Sequence, residues 1–246
     1  MSETCFKYKW YTGLIHDLKL HGYHICDYVN WKEYDRCAIL RHDIDNDIEK
    51  AVRIAEIESE NDVRSTFFVL LTSDYYNLYS LENITRIGKI ISLGHEIGLH
   101  FDEVRYPDEK SAEGLIYRIK EEADILSAMI DRRVNVVSMH RPSKNILDDD
   151  LRIPNMINSY GDVFFKEFKY LSDSRKRWRE PVDKIINSED YERLHILTHP
   201  IWYNDNDISI HDVLLDFVNK GNLKRYECMK NNITCLDEII NIDEVL

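Results

Sequence analysis

The stretch LRHDID, residues 40–45, continues the apolar run CAIL (37–40) and places Asp43 and Asp45 two positions apart. Side chains alternate between the two faces of a strand, so both carboxylates point the same way. Two like charges on one face repel unless a positive group lies between or beside them, or water solvates them. The stretch therefore predicts a strand whose carboxyl end faces a metal ion, a basic side chain or solvent.

Other apolar runs alternate with amphipathic segments along the chain. Apolar residues three and four positions apart predict helices over 48–55, 84–91 and 116–130, and another near the C-terminus. Repeated strand and helix units predict an α/β fold with parallel strands, right-handed crossovers and helices outside. No Pro/Gly-rich hinge or repeat interrupts the chain, so we expect a single domain over residues 1–246. The remaining predicted strands are 65–71, 95–100, 134–140 and 194–199.

Polar residues that can bind a metal ion or transfer a proton follow four of these predicted strands. They are Asp43 and Asp45, His100, His140 and His199. In a (β/α) barrel the carboxyl ends of the strands form the edge where sites are built. Four strands that end in this way predict one shared site.

Composition and charge limit the classes of partner. The formal net charge is −13, from 32 basic and 45 acidic side chains, and no basic run is long enough to follow a phosphate backbone. This argues against nucleic acid and against an anionic membrane surface. The five cysteines form no CxxC pair, the N-terminus lacks the apolar core of a signal peptide, and no stretch approaches the length of a transmembrane helix. We therefore expect a cytoplasmic protein whose partners are small or neutral.

The order of the motifs HDID, STFFV, GHEIGLH, HRP and LTHP resembles the polysaccharide deacetylases of carbohydrate esterase family four, over residues 38–202. The Arg-His-Asp-x-Asp form of the first motif is most similar to a divergent branch associated with bacterial surface-polysaccharide gene clusters. The resemblance implies a distorted (β/α) barrel with six or seven parallel strands, with helical extensions on both sides of the motif-bearing region.

The resemblance also implies a role for each motif residue. Asp43 would be the catalytic base, and Asp45 would bind a divalent cation, with zinc as the expected ion. Arg141 would fix Asp43 in place, and His199 would act as the general acid for the leaving amine. Each residue also has a plain structural alternative: a helix cap for the two aspartates, a surface arginine before a proline, and a hydrogen-bonded histidine at a strand end.

The second motif of the family supplies two histidines four positions apart, and only the first is present here. His100 matches that first histidine, but the second position is Val104. The missing metal ligand could be replaced by His140, or by Asp102 or Glu103. We favour His140, because a neutral imidazole suits zinc and the residue ends an adjacent strand. Alternatively, His140 orients a substrate or a carboxylate.

Three further predictions concern residues around the site. Asp173 and Trp178, in SDSRKRW, match an acid and tryptophan that support the site in the family. Trp202 and Tyr203 are candidates for an apolar wall against a sugar ring or an acetyl methyl group, although aromatic residues more often pack in a core. His95 is expected to be a hydrogen-bonded structural histidine.

These features together favour a metal-dependent hydrolase that removes an N-acetyl group from an amino sugar. The expected substrate is a cytoplasmic glycan precursor, such as a nucleotide- or lipid-linked sugar. One alternative is a catalytically degenerate barrel that binds a saccharide or a partner protein, which Val104 motivates. A second alternative keeps the hydrolysis and changes the substrate to another carboxamide, such as a cyclic ureide.

Overall fold

A computed structural model describes residues 6–148 and 150–246. The chain forms two compact units, Met1–Asp205 and Asn206–Leu246, each described by itself below. Cys5 lies outside the described residues, and the four described cysteines are free thiols. Within the described ranges, no helix is both long and apolar enough to cross a membrane.

The first unit is built on a curled sheet in which every strand pair is parallel. Seven strands follow one another in the order β6-β5-β4-β3-β2-β8-β7, and β1 pairs with the first residues of β2. The predicted distorted (β/α) barrel with six or seven strands is therefore confirmed. The strands are β1 (His24–Cys26), β2 (Cys37–Ile44), β3 (Thr66–Val69), β4 (Glu96–Phe101), β5 (Val136–Met139), β6 (Ile157–Asn158), β7 (Lys169–Ser172) and β8 (Arg193–Thr198).

Helices of the first unit cover the outside of this sheet, and their ends follow the expected capping chemistry. Asp47 caps the second helix by accepting hydrogen bonds from two backbone N–H groups of its first turn, which leaves Asp43 and Asp45 free of that role. Ser80 caps the third helix by accepting one hydrogen bond, from the backbone N–H of Asn83. The helices are α1 (Tyr8–Leu20), α2 (Ile48–Glu60), α3 (Leu81–Ser92), α4 (Ala112–Ile130), α5 (Lys144–Asp148) and α6 (Val182–Ser188).

The second unit consists of α7 (Ile210–Lys230), α8 (Leu236–Ile239) and a 3-10 turn at Ile242–Glu244. Tyr226 of α7 joins them, because its hydroxyl donates to Asp237 Oδ1 (2.6 Å) and lies 3.0 Å from the carbonyl oxygen of Ile240. The helix predicted near the C-terminus is α7.

The carboxyl-terminal half of strand β2 carries buried polar side chains on both faces. Arg41 and Asp43 point into the barrel, whereas His42 points outward to α2, where its Nε2 lies 3.0 Å from Glu58 Oε1. The other ring nitrogen of His42 lies 2.6 Å from Thr198 Oγ1, and Tyr11 donates to Glu58 at 2.6 Å. The alternation of side chains thus separates a structural network under the helices from the polar interior of the barrel.

His95 has the structural role that the sequence predicted. Its Nδ1 accepts the backbone N–H of Ser65 at 3.2 Å, and its Nε2–H donates to the carbonyl of Ala55 at 2.9 Å. Burial lowers the pKa of His95, so the ring is neutral at physiological pH. It joins the start of β3 to α2.

Glu122 of α4 gives the fold a pH dependence. Its side chain is buried, and Tyr106 donates a hydrogen bond to its Oε1 (2.6 Å). Burial raises the pKa of Glu122 to about 7. The pKa of Glu122 in the folded protein lies above its pKa in the unfolded chain, so the folded state binds an extra proton between these two values. The free energy of unfolding therefore falls as the pH rises from about 4.5 to about 7.

Glu122→Gln should remove this pH-dependent loss of stability. Between pH 5 and pH 8, the free energy of unfolding of the variant should rise by roughly 1–3 kcal/mol relative to that of the wild type.

Urea unfolding at the two pH values measures this difference. Asp124→Asn is the matched control, because Asp124 is exposed on the same helix and its substitution should leave the pH dependence of the wild type intact. Equal losses of stability in the wild type and in Glu122→Gln would contradict the assignment.

Candidate metal centre and active site

A cavity of about 490 Å³ lies at the carboxyl ends of the strands. All five polar strand-end residues predicted from the sequence reach it, because parallel strands end at the same edge of the barrel. Those residues are Asp43, Asp45, His100, His140 and His199.

Three of these residues form a candidate metal site. Oδ1 of Asp45 lies 3.1 Å from Nε2 of His100 and 3.9 Å from Nε2 of His140, and one ligand atom from each residue lies within 4.8 Å of the others. Ligand atoms about 2.1 Å from one tetrahedral zinc ion are roughly 3.4 Å apart, so these three need only small movements. Two imidazoles and one carboxylate are a suitable ligand set for zinc and other divalent transition metals.

The surroundings of His140 bear on the choice among the candidate third ligands. Nδ1 of His140 lies 3.2 Å from Oδ2 of Asp102, so Asp102 orients the ring from behind, while Nε2 faces Asp45. Glu103 instead accepts hydrogen bonds from Ser143. Val104 lies in a 3-10 turn after β4 and is 65% exposed. The chain turns away from the cavity at that position, and His140 occupies the place near Asp45.

Asp43 has a different cationic partner from the predicted one. Arg41, two positions earlier on the same strand, binds both of its oxygens, from Nε to Oδ1 (3.2 Å) and from NH2 to Oδ2 (2.8 Å). The predicted contact between Arg141 and Asp43 is therefore wrong, since Arg141 donates to Asp102 Oδ2 at 2.9 Å. Strand alternation was the available signal, because it places Arg41 and Asp43 on one face.

Arg41 also joins distant strands of the curled sheet. It is fully buried and donates to the hydroxyls of Ser138 on β5 (2.6 Å) and Ser159 just after β6 (2.9 Å). One side chain from β2 thus reaches strands several places away across the barrel interior. The guanidinium carries an uncompensated charge without Asp43, so the two side chains form one buried unit.

Charges around the cavity set the protonation states of the site. Burial alone would raise the pKa of Asp43, but Arg41 beside it holds that pKa below its ordinary value, so the carboxylate is ionised at neutral pH. Burial and the neighbouring His100 lower the pKa of His140. The ring is then neutral, the form in which histidine binds metal.

His199 is held by the buried Asp173. Its Nδ1–H donates to Asp173 Oδ1 at 2.6 Å, its backbone N–H also contacts that carboxylate, and its Nε2 lies 3.8 Å from Oδ2 of Asp45. Burial alone would lower the pKa of His199, but the hydrogen bond to Asp173 raises it to about 9. The imidazole is therefore protonated at neutral pH and can donate a proton from Nε2. Trp178, the other half of the predicted pair, packs in the core against Trp10.

The predicted aromatic wall of Trp202 and Tyr203 is wrong in its location. Tyr203 is completely buried, and its ring packs against Tyr11 and Phe6. Trp202 packs against the same core, and neither residue is among the described residues that line the cavity. A 3-10 turn at Pro200–Trp202 directs the chain back toward the helices directly after β8.

A different aromatic surface lines the cavity. Phe165 stacks on Tyr160 (ring centroids 5.0 Å apart) and on Tyr170 (4.7 Å), and all three residues line the cavity. Phe165 is 36% exposed and lies in a π-helical turn at Val163–Glu167. Single π-helical turns are rare in proteins, and those that occur are often found at functional sites. Neither the turn nor the stack has a periodic signal in the sequence.

Comparison with known proteins gives structural neighbours only. No family profile matches the chain, and no curated protein matches it. The solved structures that it matches include polysaccharide deacetylases. The alignment with a polysaccharide deacetylase from Bacillus cereus has 16% identity and a TM-score of 0.45, and covers 77% of this chain and 88% of the other.

Two further neighbours show the range of these matches. A chitin deacetylase from Colletotrichum lindemuthianum has 15% identity and a TM-score of 0.46, with 75% of this chain and 81% of the other covered. A CE4 family pseudoenzyme from Bacillus anthracis has 16% identity and a TM-score of 0.44, with 76% of this chain covered. The chain spans 62% of the length of that pseudoenzyme.

Proposed function

We propose that this protein is a metal-dependent hydrolase that removes an N-acetyl group from an amino sugar. The observation that carries the proposal is the arrangement of Asp45, His100 and His140 beside an ionised Asp43 and a protonated His199. Such a site combines the ligands for a cation with a proton acceptor and a proton donor. We further propose that the cation is zinc and that the substrate is a cytoplasmic glycan precursor.

The roles of the side chains follow from their positions. A bound divalent cation would supply a Lewis acid beside the acetyl carbonyl and would make a nearby water more acidic. Asp43 accepts the proton of the attacking water, and Arg41 keeps its carboxylate ionised and oriented. The water oxygen forms the new bond to the acetyl carbon.

The second half of the reaction needs a proton donor. The bond between the acetyl carbon and the nitrogen breaks, and His199 Nε2–H gives its proton to the departing amine, so that acetate and a free amino sugar are released. Asp173 holds the imidazole in the orientation that this transfer needs. The Phe165 stack offers an apolar face for the sugar ring.

Metal retention tests the core of the proposal. After incubation with zinc, cobalt, nickel or ferrous iron, the wild type should keep about one ion per chain through gel filtration. Asp45→Asn, His100→Ala and His140→Ala should each retain clearly less, because each removes one of the ligands. His16→Ala is the matched control, since His16 is exposed on α1 and should retain the ion fully.

Two outcomes would redirect the proposal. A wild type that retains no more metal than Asp45→Asn and His100→Ala, and gains no thermal stability from metal, would favour the degenerate barrel that only binds a saccharide or a partner protein. Acetate release is then measured on N-acetylated amino sugars, beside ring opening of small cyclic ureides. Turnover confined to the ureides would keep the metal chemistry and change the substrate.

A further inference from the structure

Three arginines line the same cavity as the candidate metal centre. They are Arg141, which follows β5, and Arg175 and Arg179, in the loop that follows β7. The chain as a whole is acidic, with a net charge of −13. Three arginines at one cavity therefore form a basic region on an otherwise acidic protein. Among the described residues, the acids that line this cavity are Asp43, which Arg41 already neutralises, and Asp45.

The loop after β7 is tied down at its base. The backbone N–H of Arg177 donates to the carbonyl of Asp173 (3.2 Å), and that of Arg179 contacts the carbonyl of Ser172 (3.4 Å). Arg175 has a left-handed backbone (φ 60°), a conformation that is unfavourable for a residue with a side chain. Arg175 and Arg179 line the cavity, whereas Lys176 lies over the ring of Phe6.

These guanidinium groups retain donors that no protein carboxylate uses. Neither Arg175 nor Arg179 forms an ion pair with another residue in the part of the chain that the structure describes. Arg141 gives one nitrogen to Asp102, and its side chain is 67% exposed. A guanidinium group carries five N–H donors, so most of its hydrogen-bonding capacity remains.

We propose that Arg141, Arg175 and Arg179 bind a phosphate group attached to the saccharide substrate. This inference rests on the proposed function and narrows its substrate class. Guanidinium groups match phosphate oxygens in pairs of parallel hydrogen bonds. A phosphate monoester carries close to two negative charges and three acceptor oxygens, which suits several arginines better than the single charge of a carboxylate.

Calorimetric titration of the whole protein tests the site without turnover. The probes are N-acetylglucosamine 1-phosphate, neutral N-acetylglucosamine and glucuronic acid. The wild type should bind the phosphorylated sugar at least about tenfold more tightly than either of the others at low salt. The double variant Arg175→Gln/Arg179→Gln should lose most of that preference. Arg177→Gln is the control, because Arg177 lies in the same loop but is not among the described residues that line the cavity.

The possible results test phosphate binding separately from hydrolysis of the N-acetyl group. Equal affinity for the neutral and phosphorylated sugars, or a double variant that binds as the wild type does, would overturn the site. Tighter binding of glucuronic acid would overturn the assignment to phosphate. Acetate release is followed in the same samples, so a preference for the phosphorylated sugar without hydrolysis would retain the phosphate site and contradict the proposed function instead.

Discussion

Asp43→Asn is expected to lower the rate of acetate release by about 10²–10⁴-fold while the protein still binds its metal. Asparagine keeps the shape of the side chain but cannot accept a proton from water. Asp43 is not one of the three grouped candidate ligands, so about one ion per chain should remain. Steady-state acetate release and metal analysis on the same preparation measure the two effects together.

The matched control is Asp124→Asn, because Asp124 is exposed on α4 and should change neither rate nor metal content. Loss of metal together with activity in Asp43→Asn would mean that Asp43 is a ligand and that the separation of roles between Asp43 and Asp45 is incorrect. Full activity would remove Asp43 from the mechanism. A thermal unfolding curve accompanies each sample, since the substitution also leaves Arg41 without its anionic partner.

Arg41→Met should be the most destabilising substitution at the site. It leaves the buried carboxylate of Asp43 without its cation, which typically costs about 3–5 kcal/mol in the free energy of unfolding. It also removes the hydrogen bonds to Ser138 and Ser159 that join β2 to the far side of the barrel. Urea unfolding at neutral pH measures the loss.

A double-mutant cycle separates the ion pair from simple packing. Adding Asp43→Asn to Arg41→Met should restore part of the stability, because no charge is then buried alone. Arg53→Met is the control: its pair with Glu56 is exposed, and the substitution should cost less than about 1 kcal/mol. If the double variant is no more stable than Arg41→Met, the charge of Asp43 is not what makes the single substitution costly.

The fold and the cluster of site residues could be predicted because both depend on simple periodicities. Alternating strands and helices fixed the sheet as parallel, and parallel strands end at one edge. This was enough to bring Asp45, His100 and His140 together, although the second histidine of the motif is missing at Val104. The candidate for the missing ligand, His140, comes from the next strand of the sheet rather than from the next turn of the chain.

The contacts around the site could not be predicted with the same success, because they depend on local turns. Arg141 has a left-handed backbone (φ 48°) directly after β5, and its side chain meets Asp102 rather than Asp43. The 3-10 turn after His199 places Tyr203 in the core. Arg41 is the exception, since alternation along β2 was sufficient to find it and only the motif assignment pointed elsewhere.

The two polar faces of β2 have a consequence for the alignment of this strand with its neighbours. A slip of one residue moves every side chain of a strand to the opposite face, so the alignment of a buried strand is strongly specified. In β2, such a slip would turn His42 into the barrel and send Arg41 and Asp43 toward α2. Both sets of side chains would then be buried among the wrong partners. Deletion or insertion of one residue in β2 should therefore be far less tolerated than most single substitutions, because the strand has only one alignment in which all its charges are satisfied.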